Sequence, residues 1–182
     1  MSAKWRSSAW IAGAWRTWLT DHGSLTRRLQ MACPEFRVQR LLQTHTPPHV
    51  DERVIANMRP GRHALVREVL LSCGDTPLVF AHTVVPLAGL RGPWAALAHL
   101  GNRPLGAALF ANPRIQRHPL ECRKLDARHP LFKSAARHLA SPPRTLWARR
   151  SRFTLQGHAI LVTEVFLPAV LDLSTWINPD LK

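Results

Sequence analysis

The sequence predicts an α+β fold: a single antiparallel β-sheet with helices packed at one end or face. Two observations predict it. Apolar runs occur in pairs across short turns, at residues 73–76 and around Gly157, which is the pattern of antiparallel hairpins. Helical periodicity, in contrast, is confined to the N-terminal segment and to stretches between the two hairpins. Neighbouring strands that pair, together with segregated helices, are typical of the α+β class.

The first segment, residues 1–30, is predicted to be helical from about Ser8 onward, with a break at residues 21–23 and a cap at Ser24. Its apolar side chains recur at three- and four-residue spacing: Trp15, Trp18, Leu19, Leu25 and Leu29.

The next elements follow from alternation and from the positions of proline and glycine. Residues 35–44 are predicted to form a strand, and residues 45–52 (HTPPHVDE) a loop, because paired prolines remove backbone donors. The first hairpin then joins residues 63–72 to residues 77–85.

Helices are predicted after this hairpin. Gly92-Pro93 opens a helix that runs to Leu100 and is closed by Gly101. Pro104 begins a second helix, which runs toward Phe110.

The C-terminal half contains a returning strand at residues 114–125 and a basic excursion at residues 126–144, within which residues 128–139 are a surface helix. The second hairpin joins residues 145–156 to residues 158–167, and an irregular tail follows. We expect residues 1–182 to form one domain.

The composition limits the class of protein. No apolar run reaches the length of about 18 residues that a membrane span needs, and the N-terminus lacks the uninterrupted apolar block of a signal peptide, so we expect a cytoplasmic protein. The three cysteines show no CxxC spacing, which favours free thiols over a disulfide framework or a zinc site.

The net charge of +14 is the compositional extreme, and eleven of the 25 Lys and Arg residues lie between Arg114 and Arg152. Such a charge could mark a nucleic-acid binder, but no binding motif accompanies it, so we expect no nucleic-acid partner. A solvated basic face that attracts small anions is the alternative.

Two charged residues share a strand face with apolar residues. Arg67 alternates in phase with Leu65 and Val69, and Glu164 alternates in phase with Val162 and Phe166, so both should point inward. A buried charge needs a partner. The pair could form a structural salt bridge, Glu68 could face inward instead of Arg67, or the two charges could bind the two ends of a small hydroxy acid.

Other site types have no support in the sequence. There is no GxSxG, Walker A or GxGxxG motif. His82 lies in phase with Phe80 and Val84 and is predicted to be a core or edge histidine, and the remaining histidines show no spacing typical of metal ligands. We therefore predict neither a metal nor a cofactor.

Several blocks resemble the chorismate pyruvate-lyase family in order and spacing: WLTDHGSLTRR, REVLL, TVVP, LGNRPLG, WARRSRF and TEVFLPA. The resemblance runs from Trp18 to Ala169. It implies that Arg67 binds a substrate carboxylate and Glu164 a substrate hydroxyl, and that both serve catalysis. It also places substrate contacts on Leu105 of the PLG block and on Leu25 of a lid, where the family usually has Met.

The resemblance further implies that the chain eliminates pyruvate from chorismate to give 4-hydroxybenzoate, the first committed step of ubiquinone biosynthesis, without a cofactor. We expect a monomer that retains its product and that contacts a membrane prenyltransferase transiently, unless the basic charge only steers the substrate. The competing hypothesis is a ligand-sensing domain of the same fold, which would bind a small acid without converting it.

Overall fold

Eight antiparallel strands form one sheet in the computed structural model, which describes residues 4–7 and 13–173. The strands are β1 Arg6–Ser7, β2 Phe36–Thr46, β3 Ala64–Cys73, β4 Thr76–Pro86, β5 Gln116–Arg117, β6 Glu121–Asp126, β7 Thr145–Leu155 and β8 His158–Phe166. Their order across the sheet is β1-β6-β7-β8-β4-β3-β2, and β5 also pairs with β7. The predicted α+β class with a single antiparallel sheet is confirmed.

Short helices cover both faces of this sheet. They are α1 Arg16–Leu19, α2 Leu25–Ala32, α3 Val50–Ile55, α4 Leu87–Leu90, α5 Leu105–Ala111 and α6 Pro130–Ala136, with 3-10 turns at Ala95–His99 and Pro168–Leu171. None of the described helices is long and apolar enough to cross a membrane.

Both predicted hairpins are confirmed. β3 and β4 are joined by a tight turn at Gly74, which has a φ of +55°, and β7 and β8 are joined at Gln156 and Gly157, with φ of 49° and 78°. Two consecutive residues with positive φ match the twist of the flanking strands, which explains the glycine in this turn.

The loop predicted at residues 45–52 is wrong at both ends, because β2 extends to Thr46 and α3 begins at Val50. The Glu52 side chain reaches back and accepts a hydrogen bond from the His49 backbone N–H (2.9 Å). This half of a capping box starts a helix directly after the two prolines.

The helix predicted from Gly92 to Leu100 is wrong in type and start. The chain forms α4 earlier, at Leu87–Leu90, and then only a 3-10 turn at Ala95–His99. Gly101 follows that turn with a φ of +56°, as predicted for a closing glycine. The helix predicted after Pro104 is confirmed as α5.

The strand predicted at residues 114–125 is interrupted, because residues 118–120, with Pro119 in the middle, separate β5 from β6. The predicted surface helix of residues 128–139 is shorter, and α6 is not merely a surface element. Its Leu131 and Phe132 side chains are buried against the sheet.

The N-terminal helical prediction is confirmed only in part. Of its range, residues 8–12 lie outside the described residues, as does the predicted tail beyond residue 173. Within the described residues α1 and α2 are separate helices, and the predicted cap is present: the Ser24 hydroxyl accepts a hydrogen bond from the Arg27 backbone N–H.

The prediction of free thiols is wrong for two of the three cysteines. Cys33, just after α2, and Cys73, the last residue of β3, form a disulfide with a Cα–Cα distance of 5.9 Å. The sequence could not predict this pairing, because the two cysteines are 40 residues apart and meet only when α2 packs on the sheet. Cys122 is free and buried.

The two faces of the sheet have different covers. On the face that carries Arg67 and Glu164, called the pocket face below, α1 and α2 pack over one part of the sheet and the segment from α4 to α5 packs over another. On the opposite face, α3 and α6 pack over the alternate residues of the same strands. The pocket face therefore has two separate apolar clusters with a gap between them.

Candidate active site

The gap on the pocket face is a cavity between the sheet and the helices α2 and α5. Its floor is formed by β3, β4, β7 and β8. Its walls are largely apolar, with contributions from Val69, Leu71, Leu109, Phe110, Phe153 and Val162.

The four residues singled out by the sequence all line this cavity: Leu25, Arg67, Leu105 and Glu164. Leu25 is the first residue of α2 and Leu105 is the first residue of α5, so each helix directs its N-terminal leucine at the cavity. Both leucines are buried. The structure thus brings together side chains from four separate elements.

Arg67 is buried, with 3% of its surface exposed, and has no carboxylate partner among the described residues. Its Nη2 donates hydrogen bonds to the backbone carbonyls of Gly101 and Arg103, both at 3.0 Å. Its Nε is buried without a hydrogen-bond acceptor in the described part of the chain. Burial, together with Arg40, lowers the pKa of Arg67. A ligand carboxylate would give this guanidinium the missing acceptor.

Glu164 is paired with a different arginine. Arg149 lies directly opposite it in the β7–β8 register, and its Nε donates to Glu164 Oε2 at 2.5 Å. The sequence left open a structural salt bridge between Arg67 and Glu164, and the structure does not form it. It also places Glu68 on the opposite face, so Arg67 is the inward residue of that strand, as predicted.

Arg149 is fully buried and joins the sheet to the chain that precedes α2. Its Nη1 donates to the backbone carbonyls of Trp18 (2.7 Å) and Asp21 (2.8 Å). The same side chain therefore fixes Glu164 and the segment that leads into the helix over the cavity.

Asp21 strengthens this junction. Its carboxylate accepts a hydrogen bond from the Gly23 backbone N–H (2.7 Å) and forms an ion pair with Arg28. Burial alone would raise the pKa of Asp21, but the Gly23 amide, Arg149 and Arg28 outweigh it, so that pKa lies below its ordinary value. The carboxylate is the favoured form at neutral pH.

Arg117 lies at the edge of the cavity. Its Nε donates to Ser151 Oγ at 3.1 Å and its Nη1 to the His22 carbonyl at 2.6 Å. Its guanidinium also packs near the rings of Phe110 and Phe153. Burial, followed by the charge of Arg149, lowers the pKa of Arg117.

The charged residues that line the cavity are Arg67, Arg117, Arg149 and Glu164. Three guanidinium groups and one carboxylate give a local charge of +2. Such a cavity suits a small dianion whose body is apolar.

Arg149 and Arg117 line the cavity but were not predicted from the sequence. In β7 the residues Arg149, Arg150 and Arg152 place charges on both faces, so alternation could not say which arginine points inward. Arg117 lies in a strand of two residues, which is too short for any periodicity.

These features define a class of protein: a domain with a small, largely apolar cavity between a buried arginine, which has no carboxylate partner among the described residues, and a glutamate held by a second arginine. The fold alone occurs in proteins with another role. The chain is similar to the PhnF C-terminal domain (TM-score 0.56, 13% identity, 71% of this chain and 80% of that chain) and to the ligand-binding domain of a putative GntR-family transcriptional regulator from Bordetella bronchiseptica (TM-score 0.51, 17% identity, 74% and 85%).

Sequence similarity gives the family. A family model described as chorismate lyase matches residues 2–175. Probable chorismate pyruvate-lyases from Nitrosospira multiformis and Methylobacillus flagellatus are 52% and 42% identical to this chain, covering 87% and 95% of it and 89% and 97% of their own lengths. The chain belongs to the chorismate lyase family.

Proposed function

We propose that this chain removes pyruvate from chorismate to give 4-hydroxybenzoate, and that the reaction takes place in the cavity between α2, α5 and the sheet. The observation that carries the proposal is the arrangement of two charges across an apolar cavity: Arg67, buried with no carboxylate partner in residues 4–7 and 13–173, and Glu164, oriented by Arg149. Chorismate offers complementary groups, since it has a ring carboxylate and a ring hydroxyl.

In this proposal Arg67 binds the ring carboxylate through Nε, while its Nη2 stays on the Gly101 and Arg103 carbonyls. Glu164 accepts a hydrogen bond from the ring hydroxyl through the carboxylate oxygen that Arg149 leaves free. Arg117, at the cavity edge, is then the partner for the second carboxylate, which belongs to the enolpyruvyl group. The local charge of +2 balances the substrate dianion.

The reaction breaks the bond between the ring carbon and the ether oxygen and removes the hydrogen from the neighbouring carbon, which bears the hydroxyl. The enolpyruvyl methylene receives a proton and becomes the methyl group of pyruvate. Aromatisation of the ring supplies the driving force, so the enzyme's main task is to hold a reactive conformer and exclude water. Two routes remain for the proton: through Glu164, or directly to the methylene in a concerted step.

The product keeps the carboxylate and the hydroxyl that Arg67 and Glu164 would bind. We therefore propose that the enzyme retains its product. We also propose that the enzyme is monomeric and cytoplasmic. It supplies ubiquinone biosynthesis and passes its product to a membrane prenyltransferase in a transient contact.

The proposal is tested by incubating the purified protein with chorismate alone and measuring 4-hydroxybenzoate and pyruvate. We expect the two products in equal amounts. If the protein binds 4-hydroxybenzoate but leaves chorismate unchanged, it is a sensing domain of the same fold. If it is indifferent to both compounds and binds duplex DNA in a salt-sensitive manner, the basic charge marks a nucleic-acid binder instead.

A further inference from the structure

A second cluster of chemically active side chains lies on the face of the sheet away from the cavity. His82 of β4 and Glu68 of β3 are directly opposite each other in the strand register, and α3 places Glu52 and His49 over them. His82 and Glu52 are among the most buried polar residues, with 3% and 2% of their surfaces exposed. The function proposed above uses none of these four residues.

His82 lies between two carboxylates. Its Nδ1 is 3.1 Å from Glu68 Oε1, in hydrogen-bond geometry, and its Nε2 is 3.2 Å from Glu52 Oε1. The second contact is an ion pair without hydrogen-bond geometry: His82 Nε2 and Glu52 Oε1 are both buried, and neither has another side-chain or backbone hydrogen-bond partner among the described residues. Two buried ligand atoms of different elements therefore lie side by side.

His49 completes the cluster. Its ring stacks on that of His82 with a centroid distance of 5.5 Å, and one ligand atom from each of His49, Glu52 and His82 lies within 4.8 Å of the others. His49 is only half-buried, so this side of the cluster reaches solvent.

We propose that His49, Glu52 and His82 form a binding site for a divalent transition-metal ion, with zinc as the best match. Bonds of about 2.0–2.1 Å in a tetrahedral site separate neighbouring ligand atoms by about 3.3 Å. His82 Nε2 and Glu52 Oε1 already lie at 3.2 Å, and a ring nitrogen of His49, within 4.8 Å of them, needs to move closer by at most about 1.5 Å to complete three ligands. Solvent supplies the fourth ligand.

Glu68 supports this assignment as the outer partner of a ligand. A metal-binding histidine usually donates its second ring N–H to a carboxylate, which fixes the ring and leaves the other nitrogen free for the metal. The contact of His82 Nδ1 with Glu68 has this geometry.

The charges fit a divalent cation as well. Two carboxylates, one inside and one outside the ligand set, balance a charge of +2. Soft thiolate ligands are absent from this set, and imidazole with carboxylate suits zinc better than magnesium or calcium.

A bound ion would connect α3 to the two strands that form the cavity floor. Residues of β3 and β4 alternate between the faces: Arg67 precedes Glu68, and His82 lies between Ala81 and Thr83, which line the cavity. We expect the ion to stabilise the fold rather than to take part in pyruvate elimination.

The test uses full-length, untagged protein freed of metal with a chelator and titrated with zinc chloride by calorimetry, with magnesium chloride as the control ion. We expect one equivalent of zinc to bind and to raise Tm by several degrees, since a ligand that binds only the folded state stabilises it. Magnesium should do neither. Absence of saturable zinc binding would overturn the proposal.

Variants locate the site. His49→Ala changes a half-buried side chain and should fold. His49→Ala and Glu52→Gln, made separately, each remove one of three ligands, and each should weaken zinc binding at least about tenfold. His63→Gln, at an exposed histidine, is the matched control and should bind zinc like the parent. If zinc binding survives both cluster variants and is lost instead in His129→Gln, which lies near Asp51, the ion binds elsewhere and the assignment is wrong.

The chorismate assay keeps this inference separate from the proposed function. Metal-free protein should retain lyase activity, so a failure to bind zinc leaves the enzyme assignment intact, and a failure to convert chorismate leaves the zinc titration informative.

Discussion

Arg149 holds three parts of the site in place, because its guanidinium donates hydrogen bonds to Glu164 and to the carbonyls of Trp18 and Asp21. A buried ion pair contributes little net stability when both partners are present, but removal of one partner leaves a buried charge without compensation. The orientation of Glu164 and the position of the chain before α2 are thus coupled through one residue.

Arg149→Met should lower the free energy of unfolding by about 3–5 kcal/mol, because Glu164 would be left unpaired and two buried carbonyls would lose their donor. Urea unfolding measures this change. Arg128→Met is the matched control, since Arg128 forms an ion pair with Asp126 at the exposed surface and should leave the stability nearly unchanged. Equal losses in the two variants would contradict the role given to Arg149.

Residue-level prediction from sequence succeeded where one strand face was apolar apart from a single charge. Arg67 and Glu164 were found in this way. The metal-binding cluster could not be found, because His49, Glu52 and His82 come from different elements and meet only through the strand register and the capping of α3.

At the scale of elements, the closeness of α2 and α5 determines how the cavity is covered. Gly106 makes this contact: a Cβ built on it would lie 2.9 Å from Thr26 Oγ1 and 3.2 Å from Ser24 Oγ. The glycine of the PLG block is therefore explained by the approach of the two helices.

Gly106→Ala should push α2 away from α5, and we expect KM for chorismate to rise by about tenfold because a misplaced cover loses positioning. Steady-state kinetics measure this. Thr26→Ala in the same chain removes the nearest atom and should restore much of the affinity, whereas Gly92→Ala, where the added Cβ finds only ordinary contacts, should change nothing. An unchanged KM in Gly106→Ala would show that the contact is unimportant.

The disulfide fixes the other end of α2 to β3. Closing a loop of 40 residues stabilises the folded state by about 4 kcal/mol in the chain-entropy account, so reduction should lower the free energy of unfolding by up to that amount. Cys33→Ser combined with Cys73→Ser should have the same stability with and without reductant.

Thiol counting tests the pairing itself. Burial raises the pKa of the Cys122 thiol to about 11, so native protein should react with no alkylating reagent, unfolded protein with one equivalent, and unfolded, reduced protein with three. Three reactive thiols in unfolded, unreduced protein would contradict the pairing. The count requires protein that is purified without reductant and fully oxidised, because the reducing cytoplasm that we propose for this enzyme keeps thiols reduced.

Strand pairs were predicted well at this scale because alternation and turn glycines are local signals. Helices were predicted less well. α3 depends on a capping contact after two prolines. The sequence predicts a surface helix at residues 128–139 because the surrounding segment is basic, but three side chains of α6 pack on the sheet: Leu131, Phe132 and Ala135.

For the whole molecule, the structure divides the basic charge into two parts. Some of the arginines between Arg114 and Arg152 are internal: Arg117 and Arg149 line the cavity, and Arg150 is buried in an ion pair with Glu121. Other basic residues of this range are exposed: Arg114, Lys124, Arg128, Lys133, Arg137 and Arg144. The basic residues behind the net charge of +14 therefore lie both in the cavity and on the exposed surface.

If the exposed charge steers chorismate to the cavity, kcat/KM should fall severalfold between about 10 and 200 mM salt while kcat stays constant. Salt screens the attraction that brings the substrate to the enzyme, and it leaves the chemical step in the closed cavity unchanged. The measurement is a salt titration of initial rates without lipid. Constant kcat/KM would exclude steering and favour the other hypothesis, a basic face that docks on anionic membranes.

The central claim is that Arg67 and Glu164 bind the two ends of the substrate, and its most direct test is kcat/KM for chorismate together with the Kd for 4-hydroxybenzoate in Arg67→Ala and Glu164→Gln. Loss of charge-assisted hydrogen bonds predicts at least about a 100-fold fall in kcat/KM for Arg67→Ala, with weakened product binding. Glu164→Gln should lose turnover by more than it loses binding. Arg37→Ala, at an exposed position of β2, should match the parent. Activity in Arg67→Ala equal to that of Arg37→Ala would contradict the account.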